Sequence, residues 1–131
     1  MQTEFQHAVS KPTTCGPASL AIIARTSVKH AKAAIFGPAY KGPTASYWHN
    51  IRDGLAALGV PTGERASWFR NWLTLKAVSI VACGKQKNGD WHWVVYDGDR
   101  QLVYDPLKPA PVPVRRFRMK PIAYLQVMPR G

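Results

Sequence analysis

The amino-acid sequence predicts an α+β domain in which N-terminal helices pack on a C-terminal antiparallel sheet. Two observations support this fold class. Apolar residues recur at helical spacing through roughly the first half of the chain, whereas short apolar and aromatic runs separated by turn signals follow from residue 77 onward. Helices that precede strands, rather than alternate with them, are typical of α+β domains and not of doubly wound parallel sheets.

The first helix is predicted to begin at Cys15. Pro17 suits the first helical turn, where its missing N–H costs nothing, and Leu20, Ile23 and Ala24 form an apolar stripe. Three further helical segments are predicted with their boundary residues: 28–36 after a Ser27 cap, 44–58 with Thr44 as the cap, and an amphipathic stretch at 67–75.

The second half predicts strands at residues 77–83, 91–96, 101–104 and 122–128. The link Asp97–Arg100 (DGDR) is a hairpin signal, and a tight turn at 98–99 would set residue 92 opposite residue 105. Between the last two strands, four prolines interrupt the chain at positions 106, 109, 111 and 113. Residues 114–120 (VRRFRMK) alternate as in an exposed edge strand.

Length and cysteine usage bound the class of protein. A chain of 131 residues is expected to form a single domain spanning 1–131. Cys15 and Cys83 are too few for a disulfide framework, so both thiols are expected to be free. No cofactor is expected, because a metal site built from Cys15, Cys83, His92 and Asp105 would lack the usual ligand spacing. The N-terminus lacks the pattern of a signal peptide and no apolar run approaches a membrane span, so a cytoplasmic location is expected.

The net charge of +11 predicts attraction to acidic partners, such as nucleic acid, anionic lipid or an acidic protein. The residues 114–120 set four cations around Phe117, an arrangement that would contact phosphates and stack on a base. A solvated basic surface that keeps the protein soluble explains the same charges, and both interpretations stay open.

Cys15 is the candidate nucleophile. At the start of a buried helix, the free N–H groups and the helix dipole favour a thiolate. Gly16 allows a substrate to approach the backbone closely, and the backbone N–H of Cys15 is a natural donor to an oxyanion. The alternative is a small cysteine that packs at a helix start.

His92 is the best candidate base, and Asp105 is the candidate that orients it. Residues 92 and 105 would project from the same face of a hairpin, so the carboxylate would hold the imidazole in its working tautomer. Asp97 and Asp90 are weaker alternatives at strand ends. The other histidines look like surface residues (His30, His49) or lie in the irregular N-terminal stretch (His7).

These segments together resemble a known family. TTCGPASLAII (13–23), WHWVVYDG (91–98) and LVYDP (102–106) resemble the nucleophile helix, the histidine strand and the Asp-Pro element of papain-like cysteine peptidases. The closest resemblance is to the bacteriocin-leader-processing (double-glycine) peptidases. SKPTTCGPASL (10–20) is also similar to phytochelatin synthases.

The resemblance implies a minimal papain-like α+β fold. In it Cys15 attacks a carbonyl, His92 shuttles the proton and Asp105 orients His92. The family usually places an oxyanion-donating glutamine six residues before the cysteine, where this chain has Val9. Gln6 is the nearest substitute, and it would serve only if residues 7–12 loop out.

The sequence therefore predicts a cysteine peptidase or related thiol hydrolase that cleaves a peptide or isopeptide bond, with acyl transfer left open. Its partner would be a peptide or protein substrate, and the basic surface would attract an acidic one. The alternative function is a catalytically inactive basic binding module on the same fold, which would bind nucleic acid or an acidic protein.

Overall fold

The computed structural model describes residues 5–87, 89 and 91–128. Three helices come first in this part of the chain: α1 (Cys15–Ala24), α2 (Val28–Phe36) and α3 (Trp48–Ala57). Six strands follow, namely β1 (Ser67–Trp68), β2 (Val78–Lys85), β3 (Trp91–Asp97), β4 (Leu102–Tyr104), β5 (Val112–Pro113) and β6 (Ala123–Gln126). They form one antiparallel sheet in the order β1-β6-β2-β3-β4-β5, so the predicted α+β fold class is confirmed.

Helix α1 is the central helix, and every residue from Cys15 to Ile23 is buried. It is apolar all round rather than amphipathic, which is the pattern of a helix covered on every side. It packs against α2, α3 and strand β3. Arg25 ends it in the left-handed conformation, with φ 57°.

The starts of α2 and α3 show one correct and one wrong cap prediction. Ser27 caps α2 as predicted, because its Oγ accepts a hydrogen bond from the His30 N–H at 3.0 Å. Helix α3 begins at Trp48 and not near Thr44. There the Asn50 Oδ1 accepts the Tyr47 N–H at 2.9 Å, while the Thr44 hydroxyl donates to the Thr13 carbonyl and ties the loop before α3 to the chain just before Cys15.

The two faces of the sheet are covered differently. On one face, residues such as Ile80, Trp93 and Val95 pack against the helices. On the other face, which we call the outer face, Val94, Tyr96 and neighbouring residues pack beneath the segments 69–75 and 114–119. Because side chains alternate along a strand, His92 belongs to the same face as Val94.

The hairpin between β3 and β4 has a different register from the predicted one. Val95 pairs with Tyr104, so the connection runs over four residues, 98–101, and the predicted two-residue turn is wrong. Asp97 explains the longer turn, since its Oδ1 accepts the N–H groups of Asp99 and Arg100 at 3.2 Å each. A shift of two positions leaves every side chain on its predicted face, because the side-chain period of a strand is two.

Two further element predictions are wrong. Residues 67–75 form strand β1 and a 3₁₀ turn (Trp72–Thr74) instead of a helix, because the Asn71 Oδ1 accepts the Leu73 N–H and fixes the turn. Residues 114–120 form no strand, because the chain leaves the sheet at Pro113 and makes a 3₁₀ turn over Val114–Arg116. In each segment an aromatic residue packs onto the outer face: Trp72 in the first and Phe117 in the second. Among the residues described, no helix has the length and apolar character needed to cross a membrane.

Candidate active site

The Cys15 side chain lies against the backbone of β3. Its Sγ is 3.5 Å from the Trp91 carbonyl oxygen and accepts the Trp93 N–H at 3.5 Å. The thiol is 2% exposed. Gly16, the residue after Cys15, packs closely against Ser46, because a Cβ at Gly16 would lie 2.6 Å from the Ser46 Oγ. The first turn of α1 therefore holds Cys15 at a fixed place beside β3.

A bulge in the β2–β3 ladder lies at this place. Ala82 pairs with Trp93, but the next pair is Lys85 with Trp91, so Cys83 and Gly84 together oppose His92. Gly84 has φ +116°, a conformation that residues with a Cβ rarely adopt. A bulge bends its strand and re-aims the neighbouring side chains. This bulge lies opposite His92, a residue of the outer face, at the place where Cys15 reaches the sheet from the helix layer.

His92 and Asp105 form a buried pair. Nε2 of His92 lies 3.0 Å from Oδ1 of Asp105, and both side chains are almost fully buried. In the observed register the two residues are diagonal neighbours on one face instead of directly opposite, which is still within contact range. The pair has ion-pair distance without the alignment of a hydrogen bond. Asp105 is itself held in place, because its Oδ1 accepts the Leu107 N–H at 2.9 Å.

The surroundings of His92 favour its protonated form. Burial of the ring lowers the pKa, but the Asp105 carboxylate and the Cys15 side chain outweigh it and raise the pKa of His92 from 6.5 to about 9. With Nε2 facing Asp105, Nδ1 is the ring atom left for exchange of a proton with the sulfur. Nδ1 has no other hydrogen-bond partner within the described ranges.

Cys83 lies next to the same site but in the opposite chemical situation. Burial, followed by the charges of Asp105 and Cys15, raises the pKa of the Cys83 thiol far above its ordinary value. The protein therefore keeps Cys83 as a neutral thiol that packs on the outer face. Of these two free cysteines, Cys15 is the one that lies at the start of a helix.

The two residues considered for the oxyanion lie elsewhere. Val9 is exposed, and Gln6 lines a surface pocket with Ala21 and Arg25, beside the C-terminal half of α1. The structure does not bring Gln6 to Cys15. It brings a residue that sequence reasoning missed, Gln86, whose Nε2 lies 3.6 Å from the Cys15 Sγ. Gln86 belongs to no recognisable sequence motif, so its position near the sulfur is evident only from the structure.

The weaker candidates do not reach the site. Asp97 binds the Arg100 guanidinium at 3.4 Å and organises the hairpin turn, while Asp90 lies outside the described residues. His30 and His49 are exposed, as predicted. The Nε2 of His7 lies 2.7 Å from the Lys108 carbonyl oxygen. Within the described ranges, no three His, Cys, Asp or Glu side chains form a group that would hold a metal ion.

A cavity of about 260 Å³ opens next to the buried pair. Gln86, His92 and Asp105 line one part of its wall. The rest of the wall mixes apolar and basic side chains: Leu107, Lys108, Val112, Arg116, Phe117, Arg118 and Met119. None of the ion pairs in the described part of the chain involves the three basic residues.

Phe117 packs partly onto the outer face. Its ring lies edge-on against Trp72 with centroids 5.6 Å apart, and the residue is half-buried. The exposed cations around it point to a basic rim beside the cavity.

The fold is similar to that of a solved peptidase domain from Streptococcus. That domain belongs to ComA, a bi-functional ABC transporter involved in a quorum sensing pathway. The similarity has a TM-score of 0.65 at 19% sequence identity, and it covers 98% of this chain and 100% of that domain. It confirms the predicted small papain-like α+β fold. No protein-family model and no curated protein matches the sequence.

Proposed function

We propose that this protein is a cysteine peptidase or related thiol hydrolase, with Cys15 as the nucleophile, His92 as the proton carrier and Asp105 as the residue that orients His92. One observation supports it above all: a buried histidine that contacts a buried carboxylate lies beside a cysteine at a helix start. A nucleophile, a base and an orienting group in this order are the parts that acyl transfer through a cysteine requires.

The reaction follows from these positions. The Cys15 sulfur attacks the carbonyl carbon, a C–S bond forms, and the π electrons move to the carbonyl oxygen. The tetrahedral intermediate collapses, the C–N bond breaks, and the leaving amine takes the proton from the His92 imidazolium. Water then attacks the carbonyl carbon of the thioester and gives a proton back to His92. The C–S bond breaks, the acid is released, and Cys15 is restored. Asp105 stabilises the imidazolium throughout.

The cavity beside His92 supports a substrate class. Lys108, Arg116 and Arg118 give its rim a positive charge, whereas Leu107 and Phe117 give it an apolar wall. A peptide that carries a carboxylate next to an apolar side chain fits this combination. We therefore propose an acidic peptide or protein segment as the substrate.

Covalent labelling tests the nucleophile. Wild-type protein is expected to react with iodoacetamide at Cys15 near neutral pH at least ~10-fold faster than a free thiol, because His92 would act as an adjacent base for the sulfur. The Cys15→Ala variant should not be labelled, and His92→Ala should react at the rate of an ordinary thiol. Mass spectrometry of the modified peptide distinguishes Cys15 from Cys83.

A Cys83→Ser variant is the matched control, since it removes a thiol adjacent to the site but outside the proposed chemistry. Its labelling should equal that of the wild type. Labelling of Cys15 no faster than a free thiol, and unchanged in His92→Ala, would instead favour the inactive binding module.

A further inference from the structure

Gln86 occupies a position next to the nucleophile that the proposed reaction has not yet used. It follows strand β2 directly, just beyond the Gly84 bulge, and it is half-buried. Its Nε2 donates to the Trp91 carbonyl oxygen at 3.3 Å and lies 3.6 Å from the Cys15 Sγ. A carboxamide nitrogen carries two N–H groups, so one can be held by Trp91 while the other faces the sulfur.

The proposed reaction needs donors where negative charge develops. When a thiolate attacks a carbonyl, the oxygen becomes an oxyanion about 3 Å from the nucleophile, and fixed donors near that point stabilise the transition state. The backbone N–H of Cys15 is one such donor at the helix start. Neither position considered from the sequence provides a second donor, because the Val9 side chain has no donor and Gln6, the predicted substitute, lines a surface pocket with Arg25.

Resting on the proposed function, we infer that Gln86 is the second oxyanion donor of this enzyme. Its amide reaches the sulfur from the sheet side, through the turn that follows β2, and not from the segment that precedes α1. The Trp91 carbonyl fixes the amide before substrate arrives, which is the preorganisation that makes such a donor effective.

The cavity agrees with this role. Gln86 and His92 both line it, so a carbonyl that enters the cavity can approach the amide and the imidazolium together. During acylation the C–S bond forms and the carbonyl π electrons become the oxyanion lone pair, which accepts the Gln86 N–H. When the intermediate collapses, the C=O bond re-forms, the amine leaves with the proton of His92, and Gln86 keeps both of its protons.

Two reactions of the same thiol separate this role from a purely structural one. Alkylation by iodoacetamide displaces iodide at a methylene carbon and forms no oxyanion, whereas acylation by p-nitrophenyl acetate does. Gln86→Met keeps the length of the side chain and removes its donor. We expect it to slow acylation about 10²-fold, measured as the burst of nitrophenolate, with alkylation of Cys15 within about threefold of wild type.

A second variant and a control complete the test. Gln86→Asn retracts the amide by one methylene and should show the same selective loss of acylation, while Gln6→Met should behave as wild type. Two results for Gln86→Met would overturn the inference. Equal losses of acylation and alkylation would show that Gln86 acts on the thiolate itself, and unchanged acylation would show that it is not an oxyanion donor. Wild-type protein that alkylates as a free thiol and gives no burst would instead contradict the proposed function, and the inference with it.

Discussion

At the residue scale, the pair of His92 and Asp105 is the costliest feature of the site to build. Burying a charge is unfavourable unless a partner of opposite sign compensates it. Here the partner is 3.0 Å away, and the Leu107 N–H donates to the same carboxylate oxygen, Oδ1. Each member of the pair therefore depends on the other, and changes to either one test the site.

Asp105→Asn removes the charge and keeps the size of the side chain. The pKa of His92 is expected to fall, because the carboxylate is a main cause of its rise. The rate of acylation should fall about 10²–10⁴-fold, since the amide neither orients nor stabilises the imidazolium in the same way. NMR titration of the His92 ring and single-turnover kinetics measure the two effects. Asp99→Asn, in the hairpin turn, is the control and should leave both values unchanged.

Stability should depend on pH through His92. Its pKa is about 9 in the folded protein against 6.5 ordinarily, so the folded state binds this proton more tightly than the unfolded state does. The stabilisation is complete below pH 6.5 and is lost as the pH rises through about 9. Urea unfolding of wild type and His92→Gln across pH 6–10 should show wild type losing more stability than the variant. Parallel curves would contradict the shifted pKa.

The sequence was sufficient to propose Cys15, His92 and Asp105 as candidates, because each lies in a short segment whose residue types suit the chemistry proposed for it. It was not sufficient for Gln86. The approach of Gln86 to the sulfur depends on the bulge and on the path of the chain between β2 and β3. Neither feature can be predicted from the amino-acid sequence alone.

At the element scale, the bulge in β2 decides where His92 meets Cys15. Without the extra residue at Cys83 and Gly84, the β2–β3 ladder would continue in register past His92, and we expect that the approach of His92 to Cys15 would be lost. The hairpin shows a related lesson. The four-residue turn moved the register by two positions, and the contact of His92 with Asp105 survived because an even shift keeps both side chains on one face.

Gly84→Ala should disturb this geometry. An alanine at φ +116° is strained by about 1–3 kcal/mol, and the strand is expected to relax the bulge and withdraw His92. Gly59→Ala is a matched control, since Gly59 also has a positive φ (+80°) and open space around it, but it ends α3. Both variants should lower the midpoint of urea unfolding, and only Gly84→Ala should also slow iodoacetamide labelling of Cys15. Equal labelling rates would show that the bulge does not position the site.

At the scale of the whole molecule, the helix layer covers one face of the sheet, and aromatic segments cover the other. The order of helices and strands was predictable because periodicity reports which face of an element is buried. Residues 67–75 and 114–120 were mispredicted for a related reason. Both segments have a largely irregular backbone, and their apolar residues cover the outer face of the sheet. The spacing of apolar residues in such a segment resembles that of a helix or a strand.

The charge of +11 should appear in the kinetics of substrates rather than in the fold. Peptides with acidic residues are expected to have a higher kcat/KM than matched basic peptides, and the advantage should shrink at least ~3-fold between low and physiological salt because ions screen the rim. The double change Arg116→Ala with Arg118→Ala should reduce the preference, and Arg52→Ala on α3 should not. If the preference for acidic peptides changes neither with salt concentration nor in the Arg116→Ala, Arg118→Ala variant, its origin is not electrostatic.

The layered origin of the site has a consequence for how the chain is made. Cys15 belongs to the helix layer, and its contact with the β3 backbone joins residues 78 positions apart, so Cys15 is synthesised before the residues that surround it in the folded protein. Contacts of such separation need the two layers to dock. A nascent or partly unfolded chain therefore lacks these contacts. If Cys15 acts as proposed, its enhanced reactivity would report that the helix layer and the sheet have docked.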